Sequence, residues 1–124
     1  MHVFSEIELR EAARAITSAR MKSEKAILKL KEGSSQYRLS VEAIRAYQIA
    51  LSLIARELDG EPAPDFSKEE MQQAAKTFSA FFARVEKVLP KFAAGTPQHT
   101  LAKRRLSAFE IANLLIRAAI EHRI

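Results

Sequence analysis

The sequence predicts an all-α fold, an antiparallel up-down-up-down four-helix bundle formed by an internally duplicated helical hairpin. Three observations point to it. Residues 1–62 and 63–124 align without a gap when the chain is shifted by 62, and sixteen positions are identical, among them Ser5/Ser67, Glu8/Glu70, Gly33/Gly95, Ala46/Ala108, Ile49/Ile111 and Leu53/Leu115. That is more than the shared composition of two amphipathic helices supplies, so the chain reads as one domain of two hairpin repeats. Apolar residues recur at three/four spacing through most of the sequence, and helix start and stop signals fall at matched places in the two halves.

Helix one opens with Ser5 and Glu8, an S-x-x-E capping box, with Phe4 before it as a hydrophobic staple. Its face runs Leu9, Ala12, Ala13, Ile16, Ala19, Ser23, Ala26, Ile27 and Leu30, mostly small groups. Gly33 stands where a helix takes a left-handed C-terminal residue, and Ser34 is the N-cap of helix two, expected over about residues 35–58. The breaker run from Asp59 to Asp65 joins the copies. Helix three repeats the start signal with Phe66, Ser67 and Glu70, and its face carries larger groups: Met71, Phe78, Phe81, Phe82, Val85, Leu89 and Phe92. Pro90 should kink or shorten its last turn. Gly95 and the N-cap Thr96 then lead into helix four, 97–122, with Pro97 at the first helical position.

Helices two and four are more apolar than a bundle helix requires. From Ala46 to Ala55 only Gln48 and Ser52 are polar, and in helix four the polar residues beyond Leu106 form one narrow stripe, Ser107 aside. A core-facing stripe of about 100° or somewhat more would suffice. The surplus predicts a homodimer built on these helices, with Ile49, Ser52, Ile111 and Leu114 as candidate interface residues.

The absence of cysteine excludes thiol chemistry and Cys-based zinc sites and fits a reducing compartment, so a cytoplasmic location is the expectation. Residues 1–10 lack the apolar run of a signal peptide, and no stretch has the length of a membrane span. The net charge is +5, and most of the excess lies in the second copy. Its distribution is the informative part. The predicted topology gathers both glycine turns at one end, together with Lys22, Lys25, Lys29, Lys31, Arg38, Arg45, Arg84, Lys87, Lys91, Lys103, Arg104 and Arg105, whereas Glu6, Glu8, Glu11, Glu57, Asp59, Glu61, Asp65, Glu69, Glu70 and Glu121 fall at the other.

Helix dipoles account for acids at the starts of helices one and three and lysines at their ends. They do not account for Arg38, Arg45, Lys103, Arg104 and Arg105, which sit early in helices two and four, near partially positive termini. An anionic ligand would. Lys25, Lys29 and Gln36 also recur as Lys87, Lys91 and Gln98. The candidate anion-binding set is therefore Lys25, Lys29, Gln36, Arg38, Lys87, Lys91, Gln98, Lys103, Arg104 and Arg105.

Tests for chemistry mostly fail. A di-iron bundle needs Glu-x-x-His on two helices, but Thr96 and Ala119 stand where those glutamates should be. No Gly-rich phosphate loop or G-x-S-x-G exists, and the histidines lack a nucleophile partner, so no catalytic residue, metal ligand or cofactor is assigned. Arg117 and His122 form an R-x4-H spacing that resembles the Arg/His motif of the all-helical HEPN ribonucleases. The resemblance covers these two residues alone, and it implies RNA cleavage at a composite dimer site as a remote alternative. Tyr47, Phe78, Phe81, Phe82, Phe92 and Phe109 fall at core or interface positions, which leaves no base-stacking platform. The functional expectation is a non-catalytic interaction or scaffold protein, dimeric, with phosphate-backbone nucleic-acid binding at the basic end as the alternative.

Overall fold

In a computed structural model of the chain, which describes residues 4–60, Pro62 and 65–122, both predicted capping boxes form. The readings that touch Met1, His2, Val3, Glu61, Ala63 and Pro64 lie outside the described residues. Ser5 Oγ accepts from the Glu8 amide at 3.0 Å while Glu8 Oε1 accepts from the Ser5 amide at 2.9 Å. Ser67 and Glu70 repeat the exchange at 3.0 and 3.2 Å. These bonds satisfy two otherwise orphan amides at each start and launch α1 (Glu6–Ile27) and α3 (Lys68–Val88). Ser34 Oγ caps α2 (Ser35–Asp59) by accepting from the Tyr37 amide, and Thr96 Oγ1 caps α4 (Pro97–His122) by accepting from that of His99.

The glycines do not terminate α1 and α3. Those helices stop at Ile27 and Val88 with right-handed residues after them, and three-residue hydrogen bonds from Lys29 to Ala26 and Leu30 to Ile27 tighten the end of the first. Pro90 has no amide to continue α3, which passes into a 3-10 turn, Leu89–Lys91. Gly33 (φ 90°) and Gly95 (φ 87°) instead occupy the third position of four-residue turns closed by Ser34 N–H to Lys31 C=O and Thr96 N–H to Ala93 C=O. A positive φ at that position is what a type II turn demands.

The four helices form a bundle in which α1 packs on α2, α3 on α4, α1 on α4, and α2 on α3. The fifth contact is diagonal. α2 and α4 touch each other across the middle, while the backbones of α1 and α3 nowhere approach within 8 Å. Each of α2 and α4 therefore has three neighbours and needs an apolar surface wider than a stripe. Ala46, Ile49, Ala50, Leu53 and Ile54 of α2 and Ala108, Ile111, Ala112, Leu115 and Ile116 of α4 are all buried inside the one chain. Much of the surplus is thus covered within the chain, and Ile49 and Ile111, expected at an interface, are buried in it. Ser52 and Leu114 are half-buried.

Phe78, Ile16, Ile49, Leu53, Ile54 and Ile116 are the large side chains sealed most completely from solvent. Tyr47, Phe78, Phe81 and Phe109 meet as a four-ring cluster with centroid separations of 5.4–5.9 Å, within the range in which aromatic pairs attract beyond their buried area. Phe92, expected in the core, lies past the end of α3 and is 36% exposed, because the helix that should carry it inward has already stopped.

Candidate functional site

The candidate cations reach the surface as a consequence of where the helices end. Lys25, Lys29, Lys87 and Lys91 close α1 and α3 or follow them, and Arg38, Lys103 and Arg104 lie in the first two turns of α2 and α4. All seven are exposed, as are Gln36 and Gln98, while Arg105 is half-buried. Among the described residues the ion pairs are Arg10–Glu6, Arg20–Glu24 and Arg45–Glu70, none of which involves a candidate cation.

Arg45 leaves this group. Its guanidinium bonds Glu70 in the first turn of α3 and lies over the Phe66 ring, 5.2 Å from the centroid. The sequence places it among the turn-end cations from its position early in α2, but its partner belongs to the start of α3.

Large apolar residues share the basic surface. Leu39 follows Arg38 and is 54% exposed, Leu101 precedes Lys103 and is 46% exposed, and Leu28, Val88 and Phe92 are exposed where α1 and α3 end. The second half of the chain is the more one-sided in charge: no acidic residue lies between Lys87 and Phe109.

At the other end, Arg117 donates to Asn113 Oδ1 at 3.2 Å and to Ser79 Oγ at 3.5 Å. Its partners are therefore Asn113 and Ser79 and not the nearby Glu121. It shares an open groove with exposed His122, Phe4 and Leu9. Among the described residues no three His, Asp or Glu side chains gather as a metal-holding group, and no helix is long and apolar enough to cross a membrane.

Sequence reasoning missed one feature. Tyr47, Phe81 and Phe109, read there as core, also line an open pocket together with Lys22, Arg84 and Arg105, contributed by all four helices. Burial pushes the Tyr47 phenol above its usual value, against the opposing pull of Arg105, the Ser23 side chain and Arg84. Compared with protein-family models, curated proteins and solved structures, the chain matches none of them.

Proposed function

We propose that the chain is a non-catalytic binding module, a duplicated hairpin in antiparallel up-down-up-down order, whose turn end receives an acidic protein surface. The duplication is supported by the offsets. α1 and α3 begin 62 residues apart, as do α2 and α4, the two turns share a left-handed glycine and closing bond, and the buried pairs Leu9/Met71, Ile16/Phe78, Tyr47/Phe109 and Ile54/Ile116 keep the same interval. The antiparallel order is supported by the seven-residue connection between Ile27 and Ser35, and by the groove where Phe4 and Leu9 at the start of α1 meet Arg56 and Glu57 near the end of α2 and Leu114 to His122 at the end of α4.

One observation carries the functional reading. Exposed leucines and unpaired cations share the turn end, above all Leu101 with Lys103 and Arg104. A phosphate backbone would use the cations and leave the leucines in water, whereas an acidic segment with its own apolar residues would use both. The reading is tested by fluorescence anisotropy with a labelled peptide of alternating Glu and Leu and a labelled single-stranded RNA of equal charge. The peptide should bind more tightly, and should weaken both when Lys103→Glu is combined with Arg104→Glu and when Leu39→Ser is combined with Leu101→Ser. Tighter RNA binding that ignores the leucine pair would establish the phosphate-backbone alternative instead. Indifference of both probes to the charge reversal would remove both readings.

A further inference from the structure

We infer that the pocket between the four helices is a binding site for a small organic anion with a flat apolar body, a ring-bearing carboxylate or phosphate. The argument begins with the differences between matched positions. Where the second copy has Phe81, the first has Ala19, and both line the pocket. A phenyl ring is present on one side and missing on the other, and the space it would fill is part of an opening of about 270 Å³, just below the range of roughly 300–1,000 Å³ typical of ligand pockets. The same comparison separates polar from apolar. Ser23 stands against Val85, and Tyr47 against Phe109, so hydroxyls come from the first copy and plain hydrocarbon from the second.

Charge is arranged just as unevenly. Lys22 and Arg84, matched in position and both exposed, bring cations from α1 and α3, and half-buried Arg105 brings a third from α4. No acidic residue lines the pocket, and among the described residues none of the three cations is in an ion pair. The Arg84 guanidinium carbon lies 6.0 Å from the centre of the Phe81 ring, which stacks on Tyr47 at 5.4 Å with 26° between the planes. Three cations and a phenol therefore border an aromatic wall. A bare inorganic anion would use the cations and leave that wall wet. A ring-bearing anion would lay its apolar body against Phe81 and Ala19 while its charged group met Arg105, Arg84 and Lys22, interactions strengthened wherever water is excluded. Lys22, Arg84 and Arg105 all belong to the turn-end cations, but the turn-end reading is carried by Leu39, Leu101, Lys103 and Arg104, none of which lines this pocket, so the two inferences can fail separately.

The test is a titration of the full-length chain, followed by amide and aromatic NMR shifts, with benzoate and phenyl phosphate as probes and acetate and inorganic phosphate as ring-less controls. Saturable shifts centred on Tyr47, Phe81 and Phe109 are expected with either ring-bearing probe, with the stronger response showing which charged group the site prefers. Arg105→Gln should weaken binding about tenfold. Ala19→Phe, which places the second copy's ring in the gap, should abolish it. Arg105→Gln, at a position without an ion-pair partner, keeps the test decisive should the added phenyl disturb packing. Absence of saturable shifts with both ring-bearing probes up to about 10 mM overturns the site. So does binding unchanged in Arg105→Gln, and so does equal binding of the ring-less controls, which would leave the aromatic wall without a role.

Discussion

Arg45, in the third turn of α2, donates through Nε to Glu70 Oε2 at 2.9 Å and so ties α2 to the capping box that begins α3. Glu70 serves two partners at once, because its Oε1 accepts from the Ser67 amide. The Arg45 hydrogen bonds, followed by that amide, hold the Glu70 carboxyl below its ordinary 4.5. A carboxylate whose native value is depressed contributes stability above the unfolded value, and the contribution is lost as pH falls through the native one. Replacing Arg45 with Met keeps a flexible side chain over Phe66 and removes the charge. The stability difference between the native chain and Arg45→Met, followed by urea denaturation across pH, should be present at neutral pH and shrink below about 4.5. A difference that stays constant down to pH 3 would assign the contribution to packing instead.

Phe78 and Phe92 look alike in the sequence, as members of one apolar face of helix three. The structure separates them, with Phe78 fully enclosed and Phe92 36% exposed beyond the helix end. Phe78→Ala leaves an uncollapsed space between Tyr47, Phe81 and Phe109 and should cost about 3–5 kcal/mol in chemical denaturation. Phe92→Ala removes a ring already half in water, and a change within about 1 kcal/mol is expected. A large loss at Phe92 would return it to the core.

The contrast shows how far the sequence could be read. Local signals carried the helix starts, since Ser5, Ser34, Ser67 and Thr96 all cap as their spacing requires. Periodicity carried the core, from Leu9 to Ile116. It could not carry the number of neighbours around each helix: Ile49 and Ile111 look like surplus in a ring of four and become core once α2 and α4 touch diagonally. Nor could it carry reach. Arg45 is assigned by its place along α2, but its long side chain selects Glu70 on another helix. The pocket was legible only as an inequality between positions 62 apart, at 19 against 81 and at 47 against 109, and its meaning depends on those positions meeting in space.

Gly33 and Gly95 offer a test of the proposed duplication. A methyl group added at either position meets no atom within 4 Å, so the cost of alanine is the left-handed backbone alone, about 1 kcal/mol. The two single variants should lose that amount equally in thermal or urea unfolding. The turns follow different helices, and among the described residues no hydrogen bond or ion pair joins them, so the double variant should lose the sum. Unequal single losses would mean that the two turns carry different strain and are not structural equivalents.

The diagonal contact between α2 and α4 makes a prediction about mass. With Ile49 and Ile111 enclosed, the middle of α2 keeps only residues such as Gln48 and half-buried Ser52 at its surface, and the exposed apolar residues Leu39, Val41 and Leu101 lie near the starts of α2 and α4. Light scattering at micromolar concentration should give a mass close to 13.9 kDa. Ser52→Glu, which adds a charge at the middle of α2's surface, should leave both mass and stability nearly unchanged, within about 0.5 kcal/mol. Ile49→Glu places a charge where no solvent reaches and should unfold the chain. A mass near twice the expected value that falls to the single-chain value in Ser52→Glu would establish the homodimer, because that residue borders α2's outer surface while Ile49 does not.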